Sequence, residues 1–210
     1  FIAEFNASST ANFRLLGRIA MDMSDDSDDT PNIENHRALG LESGILKLGD
    51  NIVVDQIAKE DPNGTDPSTQ GGNRNYIIDL DAQLWLSSNA SVTKSNDWGI
   101  HPFGKLKVSD NATLDFTGTG QRAILIDNQG VYEQTGGTVN IGQFRNKTGA
   151  DGAPRGSFIM TGGTLNVGQA GTDGNHAVFS IPWADQNLIF KAADPANPPV
   201  INITLDANNR

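Results

Sequence analysis

One phrase occurs twice in this chain, and it decides most of what the chain can become. Residues 134–143 read Gln-Thr-Gly-Gly-Thr-Val-Asn-Ile-Gly-Gln, and residues 160–169 read Met-Thr-Gly-Gly-Thr-Leu-Asn-Val-Gly-Gln. Thr138 and Thr164 stand 26 residues apart. Inside each copy the apolar residues alternate with polar ones, Val139 and Ile141 in the first, Leu165 and Val167 in the second. That is the period of a strand with one buried face. The Gly-Gly pair in front supplies a bend where side chains would collide or φ must be positive. A single short strand cannot bury its apolar face alone, whereas like strands stacked one turn apart can.

Looser copies precede these two. Thr113, Leu114 and Phe116 align with Thr138, Val139 and Ile141, and Ser91 and Val92 fall at the same places. The anchors 91, 113, 138 and 164 give steps of 22, 25 and 26 residues. Leu84-Trp85-Leu86 and Leu106-Lys107-Val108 supply a second strand upstream in each of the two earlier units. Gly44–Gly49 resembles Gly163–Gly168, which aligns Leu46 with Val92 two steps later. Such a step is too short for a propeller blade, at about 40 residues, and it lacks the helical half of a leucine-rich repeat. It suits a coil of two or three short strands.

The expected fold is therefore all-β, a parallel β-helix (β-solenoid) with coils of about 22–26 residues and an extended N-terminal arm. Val92, Leu114, Val139 and Leu165 should form an apolar core column. A ladder of Thr113, Thr138 and Thr164 and one of Asp115, Asn140 and Asn166 should stand beside it. Residues 1–29 read as the arm with an acidic loop. Residues 30–210 read as the solenoid, with an irregular closing segment from about residue 180. There Pro182 and Pro195, Pro198 and Pro199 interrupt regular pairing, while 187–190 and 200–205 still alternate as strands. Polar stretches at 94–104, 117–122, 144–156 and 169–176 read as turns, as does the Pro- and Gly-containing segment 59–75.

Composition agrees with many short strands joined by turns. Hydrophobic residues make up only 37%, while the chain carries 23 Gly and 9 Pro. The net charge of −10 argues against nucleic acid, which calls for a basic stripe. With no cysteine, neither disulfides nor thiol chemistry holds the fold together. No run approaches the roughly 18 apolar residues of a membrane helix. The first residue is Phe1 rather than Met, as expected after a cleaved leader or in an excised fragment.

Thr-Gly-Gly-Thr-Leu-Asn-Val-Gly at 161–168 and Thr-Gly-Gly-Thr-Val-Asn-Ile-Gly at 135–142 resemble the β-strand repeats of autotransporter-type passenger domains and related secreted bacterial β-solenoid surface proteins. The likeness spans about residues 76–179 and, faintly, 41–57. It implies export, an extracellular or cell-surface location and a role in adhesion or assembly. It carries over no catalytic residue.

Three function classes compete. A structural subunit is favoured by the two ends. Phe1, Ile2, Phe5, Phe13, Leu15, Ile19 and Met21 make the arm apolar, and neither it nor the closing segment reads as the polar cap that keeps a solenoid soluble. The arm either covers the first coil of its own chain or is donated to a neighbouring copy, so the partner is the protein itself as a homopolymer. A carbohydrate-binding or adhesin module rests on Trp85, Trp98, Trp183, Tyr76 and Tyr132, which could stack on glycans; packing is the plainer role for so few aromatics. A polysaccharide lyase would need basic residues beside paired carboxylates. Asp79, Asp81, Asp110 and Asp115 come nearest to such a set, and the chain is expected not to be an enzyme. His36, His101 and His176 lie in turns without metal-ligand spacing. No cofactor is expected apart from Ca²⁺ at Asp22, Asp25, Asp26, Asp28 and Asp29, whose hard oxygen ligands suit it; a solvated acidic loop explains the same run.

Overall fold

The computed structural model describes residues 1–13, 17–19, 37–56, 75–94, 99–116, 123–126, 129–146, 156–168, 179 and 188–204. Among them there is no helix, and every strand pairing is parallel. The strands form one connected 16-stranded sheet that does not close on itself.

The sheet resolves into three ladders. Ladder A stacks β1 (Ile2–Phe5), the second half of β4 (Arg37–Leu48), the second half of β6 (Asn75–Leu86), β9 (Lys105–Val108), the first half of β12 (Val131–Ile141), the first half of β14 (Ser157–Val167) and β15 (Leu188–Phe190). Ladder B stacks β2 (Ala11–Phe13), β5 (Ile52–Gln56), β7 (Ser91–Lys94), β10 (Thr113–Phe116), the second halves of β12 and β14, and β16 (Val200–Ile203). Ladder C stacks β3 (Gly17–Ile19), the first halves of β4 and β6, β8 (Ile100–Pro102), β11 (Ala123–Ile126) and β13 (Gln143–Asn146), with Phe144 bridging to Phe179. From β4 onward the chain visits C, A and B in turn. Its long strands β4 and β6 run from C into A, and β12 and β14 run from A into B.

Alternation explains which residues face inward. In β9 and β10 the pattern is half-buried, buried, half-buried, buried, so Leu106, Val108, Leu114 and Phe116 point into one shared core. In register, Phe13, Val54, Val92, Leu114, Val139, Leu165 and Ile201 form one column in ladder B. Val54 through Leu165 are fully buried.

The structure differs from the sequence expectations at five points. Leu46 belongs to ladder A, where it pairs with Leu84, while Val92 takes Val54 as its partner. Alternation alone cannot tell one ladder from another. Segments 94–104 and 144–156 are not turns throughout, because β8 and the end of β13 lie in them. The closing segment does not leave the repeat: β15 and β16 continue ladders A and B as a seventh rung, and 191–199 connects them. His101, read as a turn residue, sits half-buried in β8. At the other end, residues 2–5, 11–13 and 17–19, set apart as an arm, pair with β4 and β5 of their own chain as the first rung.

Candidate functional site

The two ends of the stack differ from its middle. Among the described residues, β1 pairs only with β4, and β15 and β16 only with β14, so each end rung keeps one edge unpaired. Apolar side chains lie exposed at both: Phe1 is 92% and Phe5 41% accessible at one end, Phe190 50% and Ile203 47% at the other, with Ile2, Leu188, Ile189 and Val200 beside them. The middle rungs bury the equivalent positions, Leu48, Leu86 and Val108 in the column that runs from Phe5 to Phe190. Of the other expected assembly residues, Phe13 pairs with Val54 and Ile19 with Leu41. Leu15 and Met21 lie outside the described residues, as do all five acidic-loop residues Asp22, Asp25, Asp26, Asp28 and Asp29.

Outward on ladder A runs the column Glu4, Lys47, Trp85, Lys107, Glu133. Leu84 and Leu86 are buried, which turns Trp85 outward. Its ring is covered on this column by two ammonium groups, Lys47 at 4.6 Å and Lys107 at 4.4 Å from the centroid. Its indole N–H donates to Ser109 Oγ at 2.9 Å. Tyr132 is buried, and Trp98 and Trp183 lie outside the described residues.

The cations on this column find carboxylates. Lys47 meets Glu4 at 2.9 Å, and Glu133 accepts from both Lys105 and Lys107, the latter at 3.1 Å. Burial pushes the Glu133 carboxyl upward, but the hydrogen bonds and charges of the two lysines outweigh it and hold the group below its ordinary value. A carboxyl depressed in the folded state stabilises above its unfolded value of 4.5, and that contribution is lost as pH falls through the lower folded value. Glu133→Gln should therefore lower the thermal midpoint near neutral pH, and the gap to the parent should shrink steadily between about pH 5 and pH 2. An unchanged gap across that range would show that the lysines do not act through the Glu133 charge.

Outward on ladder B, Thr113, Thr138 and Thr164 stand in register, flanked by the column Asp115, Asn140, Asn166, Asn202. The amides are linked head to tail. Asn202 Nδ2 donates to Asn166 Oδ1 at 2.8 Å, Asn166 to Asn140 at 2.7 Å, and Asn140 to Asp115 Oδ2 at 3.3 Å. The A-to-B corner repeats a left-handed residue in successive rungs: Asn51, Ser88, Asp110, Gly137 and Gly163 have φ of 59°, 54°, 57°, 69° and 80°. Side chains at this corner stitch neighbouring rungs. Asn6 Oδ1 accepts from the Asp50 amide, Asn89 Oδ1 from that of Asn51, and Asp110 Oδ2 from that of Ser88.

The carboxylates considered for a lyase-like site are not placed on one surface. Asp79 and Asp81 occupy the middle of β6, Asp110 the A-to-B corner, and Asp115 the outer column of ladder B. Among the described residues no three His, Asp or Glu side chains gather as a metal site, and no helix is long and apolar enough to cross a membrane. His36 and His176 lie outside the described residues. Comparison with protein-family models, curated proteins and solved structures finds no match to this chain.

Proposed function

We propose that the three ladders are the faces of a parallel β-helix whose coils are the successive rungs, and that the protein is a non-catalytic structural subunit of an extracellular filament or surface appendage. Its partner is a second copy of itself, added end to end. The observation that carries this reading is the pair of exposed apolar end rungs described above. Both end rungs are built on the same columns. A copy seated in continuing register would put Phe5 over Phe190 and Phe13 over Ile201. That contact satisfies the unpaired edges by β-strand addition and removes apolar surface from water. It is heterologous, so it propagates into a fibre instead of closing. The surface location rests on the resemblance of the Thr-Gly-Gly-Thr repeats to secreted solenoids. The donated-arm variant would require β1 to leave β4 for the neighbour.

Negative-stain microscopy of the purified protein, with and without Ca²⁺, is expected to show fibres one molecule wide. Phe190→Glu places a charge in the contact and should leave short single particles with unchanged far-ultraviolet circular dichroism. Fibres of normal length from that variant, or single rods from the parent under both conditions, would overturn the assembly reading. Deleting residues 1–13 tests the first rung in the same way.

A further inference from the structure

A groove of about 600 Å³ crosses the outward face where ladder C turns into ladder A. It runs over five successive rungs, from Phe1 past Ile45, Gln83 and Lys105 to Val131. Five rungs at the spacing of neighbouring strands make it roughly 19 Å long.

One wall is made by a bulge. Leu41 pairs with Ile78 and Ser43 with Asp81, so β6 spends one residue more than β4 over this stretch. A bulge re-aims side chains, and here it leaves Leu80 61% exposed and Asp81 exposed beside it at the groove. Beside the bulge, Gly104 of the next rung packs so closely on β6 that a Cβ there would come within 2.1 Å of the Asp79 carbonyl oxygen. Leu80, Phe103 and Val131 supply apolar surface, and Gln83, Gln129 and Asp81 supply amide and carboxylate groups.

We infer that this groove binds an extended neutral oligosaccharide lying along the stack. Its lining combines apolar patches with two carboxamides, one carboxylate and a lysine already paired with Glu133, a mix that suits sugar rings with C–H faces and hydroxyl rims. Other extended ligands fit less well. The groove runs across the strands, whose backbone groups are already engaged in ladders A and C, so a peptide finds no free edge to join by strand addition. An anionic chain would meet Asp81 and a protein of net charge −10, while Lys105, the cation at the groove, is already paired with Glu133. The groove lies on the flank of the stack and shares only Phe1 with the end rung used in end-to-end assembly.

The test is isothermal titration of the full chain with cellohexaose, mannohexaose and chitohexaose, with an oligogalacturonate and a hexapeptide as rival classes. At least one neutral hexasaccharide should bind. Gln83→Ala, Leu80→Ser and Gln129→Ala should each weaken it about tenfold, the worth of one good hydrogen bond or a leucine contact. Leu80 and Gln129 are exposed, so these variants keep their thermal midpoints and the loss reads on the site. The dispersed Phe190→Glu protein should bind as the parent does, which separates this site from the assembly contact. Absence of binding by every neutral sugar, binding that all three substitutions leave intact, or preference for the oligogalacturonate or the peptide would overturn the inference.

Discussion

Replacing Tyr132 with alanine should destabilise the protein by about 4 kcal/mol or more, seen as a large fall in the urea midpoint. Tyr132 is fully buried in ladder A, where Phe158 stacks on it at 5.5 Å and Phe144 meets it edge-on at 4.9 Å. Phe179 extends the cluster, 5.8 Å from Phe144. Emptying so large a site costs on the order of 3–5 kcal/mol, because packed neighbours relax only in part. The hydroxyl adds to this. It donates to Gln134 Oε1 at 2.6 Å, and Gln134 Nε2 in turn donates to the carbonyls of Gly136 and Gly137, each at 3.2 Å, and of Thr164, at 3.1 Å. Gln134 is a buried polar side chain in an otherwise apolar column, and this network is what makes it tolerable there.

Tyr132→Phe isolates that second contribution. It keeps the ring, strands the Gln134 oxygen, and should cost about 1–3 kcal/mol. A cost below about 0.3 kcal/mol would mean the hydroxyl bond is not what holds Gln134. Burial also pushes the Tyr132 hydroxyl above its ordinary value of 10.0. The stability this contributes is present below pH 10.0 and is lost at higher pH, where the unfolded tyrosine ionises first. The alkaline limb of the stability curve should flatten in Tyr132→Phe.

Gly163→Ala should lower stability by about 3 kcal/mol. Gly163 holds φ at +80°, which charges a side chain on the order of 1–3 kcal/mol. The added Cβ would also sit 2.4 Å from the Gly136 carbonyl oxygen. The Gly136 backbone is itself held close against the next rung, where the Gly137 amide donates to the Asp110 carbonyl oxygen at 2.6 Å. Earlier rungs place Asn51, Ser88 and Asp110 in the same left-handed corner without glycine. Positive φ alone is therefore not why glycine stands at 163; the close approach of the rung below is. Thr135→Ala, exposed beside the same corner, is the control and should change the urea midpoint by less than the equivalent of about 0.5 kcal/mol. A Gly163→Ala loss no larger than the control's would sink the close-contact account.

The register of the best-preserved units is legible in the sequence itself. Thr113, Thr138 and Thr164 pair with one another, as do Leu114, Val139 and Leu165, because near-identical phrases one rung apart leave little choice of alignment. The amide column followed from the same alignment. Ladder C is not legible in the sequence because its strands are short and poorly marked. Ile100-His101-Pro102 and Gln143–Asn146 offer few alternating positions, and a proline cannot donate to a ladder. The Leu46 misplacement arose where segment 57–74 stretches the spacing between rungs. Without a fixed step, a strand of ladder A is indistinguishable from one of ladder B. The groove was illegible for a different reason. Leu80 is one apolar residue among several in β6, and only the one-residue mismatch with β4 reveals that it faces water.

The head-to-tail amide column gives the flank of ladder B an electrical direction. Each carboxamide from Asn202 to Asn140 points its hydrogen toward the Asp115 side, so their dipoles add instead of cancelling, and a carboxylate receives the last proton donor. Turning either inner amide over, Asn166 or Asn140, would set oxygen against oxygen on one side and nitrogen against nitrogen on the other. The column is thus a vote that must be unanimous, and it ties the rotamers of side chains three layers apart to a single shared orientation.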